Sequence, residues 1–268
     1  MSENTKLTIP RIINMKRDAK KIACLTAYDF AFASLLDKAG TDIILVGDSG
    51  AMVHAGYKTT LPVTVEEMLF FTRSVVRGVN RALVVSDMPF LSYQTGKNEA
   101  IKNSGLFLKH GGADAVKLEG GEHIAETIHS IVQCGIPVMG HLGLTPQSVK
   151  QLGGYGLQGK NKSDADRIKR DAVILQEAGV FSIVLEKIPA SLAEEITQIL
   201  DIPTIGIGAG PGCDGQILVT HDLLGLFESF KPKFVRQYAN LSEIITKAVS
   251  SYCTDVKNLT FPDKKESF

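Results

Sequence analysis

A chain of 268 residues suits one barrel-sized domain, or two small ones. Lys plus Arg and Asp plus Glu balance at 29 each, so no basic field draws in nucleic acid or an anionic membrane surface, and a small substrate is the default partner. The 44% hydrophobic share is ample for a core, no apolar run approaches a membrane span, and the N-terminal stretch lacks a signal peptide's apolar segment; a cytoplasmic protein is expected.

In chain order, short apolar runs alternate with helical stretches. KIACLTAY (21–28) ends at Tyr28-Asp29, and AFASLLDKAG (31–40) closes on Gly40, a plausible C-cap. DIILVGDS (42–49) follows, then a long loop-like stretch over 50–63. Thr64 opens a capping box with Glu67, and the apolar positions of 65–77 recur at helical spacing. ALVVSDMPF (82–90), a helix over 98–110, DAVKLEG (114–120) and a helix over 122–134 continue the pattern. IPVMGHLGL (136–144) precedes a second long loop, 144–163, and a helix over 164–178. FSIVLEK (181–187), a helix over 191–200, IPTIGIGAG (202–210) and the weaker QILVTHD (216–222) complete the strands. A helix over 241–252 and a polar tail from Thr260, expected to be poorly ordered or docked on a partner, end the chain.

Near-continuous Val, Ile and Leu runs mark strands buried on both faces, as in parallel sheets. Alternation with helices gives βαβ units. About eight such units predict an α/β fold of the TIM type, a closed (β/α)8 barrel, as a single domain over 1–268 with short N-terminal and C-terminal extensions. The competing doubly wound sheet would want Gly-x-Gly-x-x-Gly after the first strand, where no glycine cluster stands. Both long loops follow C-terminal strand ends, where barrels build their active sites, so both are lid or substrate-loop candidates. Cys24, Cys134, Cys213 and Cys253 form no Cys-x-x-Cys pair, which argues against structural zinc and against a disulfide framework.

The informative residues are charged ones closing apolar strands. Asp48 follows IILVG, Asp87 follows LVVS, Lys117 and Glu119 alternate in AVKLEG, His141 follows PVMG, and Glu186 follows SIVL. One Asp in such a place is as often a helix cap as a ligand. Five successive strands with acids, a Lys or a His at the same end point to a shared site, because buried charges cost several kcal/mol each unless paired or ion-bound. Lys117 and Glu119, two apart, project to one side of their strand, with Val116 and Leu118 facing the helices. The carboxylates of Asp48, Asp87 and Glu119 specify a hard divalent cation, Mg²⁺ first and Mn²⁺ or Co²⁺ as substitutes. A 2-oxo acid could chelate such an ion, which would stabilise an enolate as the α-proton leaves. Glu186 is the natural general base, although a further metal ligand or a partner for Lys187 remains open. His141 reads as a hydrogen-bonding electrophile, a proton shuttle or a structural residue. The glycine-rich stretch 206–216 suits a phosphate or a tight turn about equally, and Gly153-Gly154-Tyr155-Gly156 could admit a flat ring.

LTAYDFAFASLLDKAGTDIILVGDS, TLPVTVEEM, SDMPFLSYQ, GADAVKLEGG, PVMGHLGLTPQSV, GGYGLQGK, EKIPASLAEEIT, IPTIGIGAGPGCDGQILVTHDLLG and PKFVRQYA together resemble the ketopantoate (3-methyl-2-oxobutanoate) hydroxymethyltransferase family, from about Leu7 to Tyr238. The resemblance implies transfer of a one-carbon unit from 5,10-methylenetetrahydrofolate to 3-methyl-2-oxobutanoate, giving 2-dehydropantoate for pantothenate biosynthesis. It implies metal-binding acids at Asp48, Asp87 and Glu119, substrate contacts at Asp48, Ser49, Asp87, Lys117 and His141, and a proton-abstracting Glu186. It also implies a homodecamer. Two departures stand out: Gly50-Ala51 where the family usually has Leu-Gly, which bears on the loop after strand two, and Phe70-Phe71 where Tyr-His is common. The rivals are a related metal-dependent lyase or mutase acting on another oxo acid, a Schiff-base enzyme using Lys117, and a non-catalytic binding barrel.

Overall fold

A computed structural model describes residues 5–227 and 232–268. The chain clusters into two compact units, residues 1–219 and 220–268. The first holds eight parallel strands: β1 (Ile22–Thr26), β2 (Ile43–Val46), β3 (Leu83–Asp87), β4 (Ala115–Glu119), β5 (Val138–Gly143), β6 (Ser182–Glu186), β7 (Thr204–Ile207) and β8 (Gly215–Leu218). Each pairs with the next and β8 returns to β1 through Ile22↔Gly215 and Cys24↔Ile217, so the barrel closes as expected.

The strand alternation sorts two cores. Ile22, Cys24, Ile43, Leu45, Leu83, Val85, Ala115, Met139, Ile205 and Ile217 fill the barrel. Ile44, Val46, Val84, Val116, Leu118, Ile183 and Leu185 face outward to the helices. The outer layer comprises α2 (Phe30–Lys38), α4 (Val65–Gly78), α5 (Lys97–Leu106), α6 (Glu122–Gln133), α8 (Lys162–Ala178) and α9 (Ala190–Ile199). At the N-terminus of α4 the predicted capping box forms, with the Glu67 amide donating to Thr64 Oγ1 at 3.2 Å and the Thr64 amide to Glu67 Oε2 at 2.8 Å.

Four features differ from the sequence reading. A helix α1 (Ile9–Arg17), started by Pro10 in its first turn, inserts the fully buried Ile12 into the interior cluster. The helix expected over 98–110 is α5 followed by a π-helical turn, Phe107–Gly111, ending on Gly112 with φ +77°. Both long loops carry local structure: α3 (Gly50–Val53) in the first, and a 3₁₀ turn (Pro146–Ser148) with α7 (Val149–Leu152) in the second. Strand eight stops at Leu218, and α10 (Thr220–Leu223) follows with Asp222 in its first turn, a position that suits a helix N-terminus better than a buried ladder.

The second unit contains α10 and α11 (Leu241–Lys257). No residue of α11 is buried within the chain, and residues 258–268 are exposed, with Thr260 Oγ1 donating to the Asp255 carbonyl at 3.0 Å.

Candidate active site

The mouth of the barrel collects the predicted charges from five consecutive strands. Asp48 lies two residues beyond β2, Asp87 ends β3, Lys117 and Glu119 lie on β4, His141 on β5, and Glu186 ends β6. Ladder register sets Asp87 beside Lys117 and Glu119 beside His141. Lys117 and Glu119 share the parity of Ala115, an interior residue, while Val116 and Leu118 face the helices. Asp48, Asp87, Lys117, Glu119 and His141 are buried; Glu186 keeps 16% of its side chain exposed.

Lys117 Nζ stands 2.5 Å from Asp87 Oδ1 and 3.7 Å from Glu119 Oε1. The other Asp87 oxygen, Oδ2, accepts from the Asp48 amide at 2.9 Å. His141 bridges two glutamates: Nδ1 is 3.3 Å from Glu119 Oε1 and Nε2 is 3.3 Å from Glu186 Oε2. Neither contact is aligned as a hydrogen bond, so the pairing works through charge.

Burial is the largest influence on Asp48, Asp87, Lys117, Glu119 and His141. It pushes the Asp48 carboxyl well above its usual range, and the neighbouring Asp87 and Glu119 push it further. Asp87 is also raised by burial, against the pull of Lys117. Glu119 is held below its usual range because His141, Lys117 and the Gln147 amide together outweigh burial. Burial and Lys117 would lower His141, yet Glu119 and Glu186 lift it to about 9. Despite burial, the surrounding acids hold Lys117 protonated.

Ser49 occupies the N-cap position of α3, but its side chain makes no cap bond. Its hydroxyl lies 2.9 Å from the Tyr28 hydroxyl, which in turn donates to Thr26 Oγ1 at 2.8 Å. Gly50 packs under the Tyr28 ring, where an added Cβ would come within 2.6 Å of Tyr28 Cδ1. In this chain a side chain at position 50 would have to displace the Tyr28 ring.

Two buried residues absent from the sequence-based set join the site. Gln147, in the 3₁₀ turn after β5, donates from its amide nitrogen to Glu119 Oε2 at 3.0 Å and from Nε2 to Asp48 Oδ2 at 3.0 Å. Tyr93 donates to Gln147 Oε1 at 2.8 Å. Neither closes an apolar strand, the signal that singled out the others apart from Ser49, which only the resemblance implied. The glycine-rich stretch 206–216 is accounted for by packing: at Gly215 a Cβ would lie 2.5 Å from the Ile22 carbonyl, across the β8–β1 seam. Gly153, at φ +71°, ends α7 in the left-handed conformation with nothing within 4 Å of its would-be Cβ, as a turn requires. Of the remaining histidines, His54 packs edge-on against Phe71.

Among the described residues, no three His, Cys, Asp or Glu side chains converge as a ready-made cation cage. The donor chemistry nevertheless fits a hard divalent ion. The three carboxylates come from successive strand ends, and the burial that raises Asp48 and Asp87, with the neighbouring acids adding to it, is a cost that a bound cation would offset. Mg²⁺ needs only one or two carboxylates, with water and substrate completing its shell.

The sequence profile described as Ketopantoate hydroxymethyltransferase matches residues 6–264. The 3-methyl-2-oxobutanoate hydroxymethyltransferase of Syntrophus aciditrophicus (strain SB) is 57% identical over 267 residues, covering 100% of this chain and 98% of its own. The protein of the same name from Moorella thermoacetica (strain ATCC 39073 / JCM 9320) is 54% identical over 268 residues, covering 100% of both. Among solved structures, a phosphoenolpyruvate phosphomutase from Streptomyces platensis subsp. rosaceus gives a TM-score of 0.61 at 14% identity, over 92% of this chain and 88% of its own. A phosphonopyruvate hydrolase, in complex with oxalate and Mg++, gives 0.62 at 12% identity over 97% and 93%. At such identities the likeness concerns the barrel fold alone.

Proposed function

The chain belongs to the ketopantoate hydroxymethyltransferase family, and from that premise we propose that it moves a one-carbon unit from 5,10-methylenetetrahydrofolate to 3-methyl-2-oxobutanoate, giving 2-dehydropantoate for pantothenate biosynthesis. The net reaction consumes one water, because a methylene group becomes a hydroxymethyl group. The observation that carries the reading is the juxtaposition of Glu186 with His141 at 3.3 Å, beside three buried carboxylates.

In this reading Asp48, Asp87 and Glu119 hold a divalent ion, Mg²⁺ or a substitute such as Mn²⁺ or Co²⁺. When bound, the ion supplies Lewis-acid stabilisation to charge developing on the substrate's keto oxygen. Lys117 and Ser49 hold the carboxylate end of the oxo acid. Glu186 takes the proton from the third carbon, and His141, charged near neutral pH by its two glutamates, keeps the Glu186 carboxylate oriented toward it. The resulting carbanion bonds to the folate methylene carbon as one of its C–N bonds breaks, that nitrogen keeping the electron pair and taking up the proton removed by Glu186. Water then displaces the second nitrogen, which takes the water's proton, leaving the hydroxymethyl group and tetrahydrofolate. A Schiff base at Lys117 is disfavoured, because its neighbouring acids hold the ammonium charged and non-nucleophilic. No described helix is long and apolar enough to cross a membrane; a cytoplasmic location and assembly as a homodecamer belong to the same proposal.

Glu186→Gln is the direct test. Proton exchange at the third carbon, followed by NMR in deuterated water, is expected to vanish while divalent-ion binding persists. Exchange at the wild-type rate would remove Glu186 from the role of base.

A further inference from the structure

Gln147 ties the C-terminal ends of three earlier strands to the turn after β5. Its Nε2 donates to Asp48 Oδ2 at 3.0 Å, beyond β2, and to the Met88 carbonyl at 2.9 Å, just past β3. Its backbone amide donates to Glu119 Oε2 at 3.0 Å, on β4. The side chain is buried, so water does not compete for these bonds.

The orientation of the amide follows from its neighbours. Its nitrogen faces two acceptors, Asp48 Oδ2 and the Met88 carbonyl, while Oε1 faces two donors, Tyr93 Oη at 2.8 Å and Gln94 Nε2 at 3.2 Å. A flipped amide would set its oxygen against the Asp48 carboxylate and the Met88 carbonyl and its nitrogen against the Gln94 amide nitrogen, losing those three bonds. The Tyr93 hydroxyl accepts from the Glu119 amide at 3.1 Å. Its single proton therefore goes outward, and Gln147 Oε1 is the nearer of its two acceptors, the Glu119 carbonyl lying at 3.1 Å. Tyr93 is itself fully buried, which keeps this proton in place.

We propose that Gln147, oriented by Tyr93, is a positioning residue for the acids Asp48 and Glu119: it occupies one oxygen of each and fixes their rotamers, so that Asp48 Oδ1 is left for a divalent cation while Glu119 Oε1 is turned toward Lys117 and His141. The inference rests on the reading of Asp48 and Glu119 as cation ligands. Groups that hydrogen-bond to ligating carboxylates set ligand direction, and their loss typically weakens metal affinity by 10- to 100-fold. The turn after β5 thereby does more than cover the site. It makes the geometry of two acids depend on the seating of Pro146–Ser148.

The test is Mn²⁺ binding to the purified full-length protein without substrates, by electron paramagnetic resonance, alongside circular dichroism and thermal melting. Asp48→Asn tests the underlying reading: if wild type binds no Mn²⁺, or if Asp48→Asn binds as wild type does, the acids are not ligands and the inference falls with them. Given wild-type binding that Asp48→Asn weakens, Gln147→Leu is expected to raise the Kd about 10-fold or more with the fold retained. A folded Gln147→Leu protein whose Kd stays within about twofold of wild type would overturn the proposal, whatever holds for the acids. If Gln147→Leu does not fold, Tyr93→Phe decides. That variant removes only the hydroxyl that orients the amide, and a raised Mn²⁺ Kd supports the proposal, whereas an unchanged Kd refutes it.

Discussion

An isolated ammonium buried as Lys117 is would lose several kcal/mol of hydration; Asp87 at 2.5 Å and Glu119 at 3.7 Å offset that loss and anchor the lysine at the mouth. Asp48 has no such direct lysine contact, and burial, followed by the neighbouring Asp87 and Glu119, raises its carboxyl well above the usual range. Packing sets a second constraint at this scale. Gly50 leaves the Tyr28 ring where its hydroxyl reaches Ser49 at 2.9 Å. Gly50→Ala is expected to push the ring aside, costing about 1–3 kcal/mol of stability and raising the KM for the oxo acid more than it lowers kcat. Urea unfolding and steady-state kinetics check both; unchanged stability with unchanged KM would show that the ring relaxes freely. The acids, Lys117, His141 and Glu186 were legible in the sequence because a charge closing an apolar strand has few structural explanations. Gln147 and Tyr93 were not, because a neutral polar residue in a loop carries no such cost until its neighbours are known.

Elements show the same division. The capping box of α4 is a local pattern, Thr64 and Glu67 three residues apart, and it forms as read. The Thr64 amide and then the Tyr57 hydroxyl hold the Glu67 carboxyl below its usual range. A carboxyl lowered in the folded state contributes stability that is present above its unfolded value and lost as pH falls through its folded one. Glu67→Gln, which removes the charge those donors favour, is therefore expected to destabilise at neutral pH, and the difference from wild type should shrink as pH drops below about 4. Denaturant midpoints across that range measure it, and a pH-independent difference would contradict the capping account. In contrast, α1 could not be read from its own pattern. Nine residues with one fully buried side chain make a weak periodic signal, and the helix gains its purpose only from the open end of a barrel that Ile12 fills. The C-terminal edge of strand eight was not legible for a related reason. A four-residue strand with Gln216 exposed is defined by pairing with β1 and β7, and little in its own composition marks where pairing ends.

At the scale of the molecule, a cation that binds the folded barrel and not the unfolded chain stabilises by mass action, about 2.7 kcal/mol at a hundredfold excess over its Kd. Stripping the protein with a chelator is expected to lower its Tm, and restoring Mg²⁺ to recover it, with Asp48→Asn insensitive to both. Calorimetry with and without Mg²⁺ checks this; a Tm indifferent to chelator and Mg²⁺ would argue against a cation at these acids. By itself the sequence determined the barrel class, the number of strands and which strand ends carry charge, since periodicity and burial cost are properties of short segments. Tertiary structure alone decided which of those charges meet: Lys117 against Asp87, His141 between Glu119 and Glu186, and Gln147 across Asp48 and Glu119. The physical reason is closure. Strand register and the seating of the turn after β5 place side chains as much as 99 positions apart within hydrogen-bonding distance, and no local pattern encodes that distance.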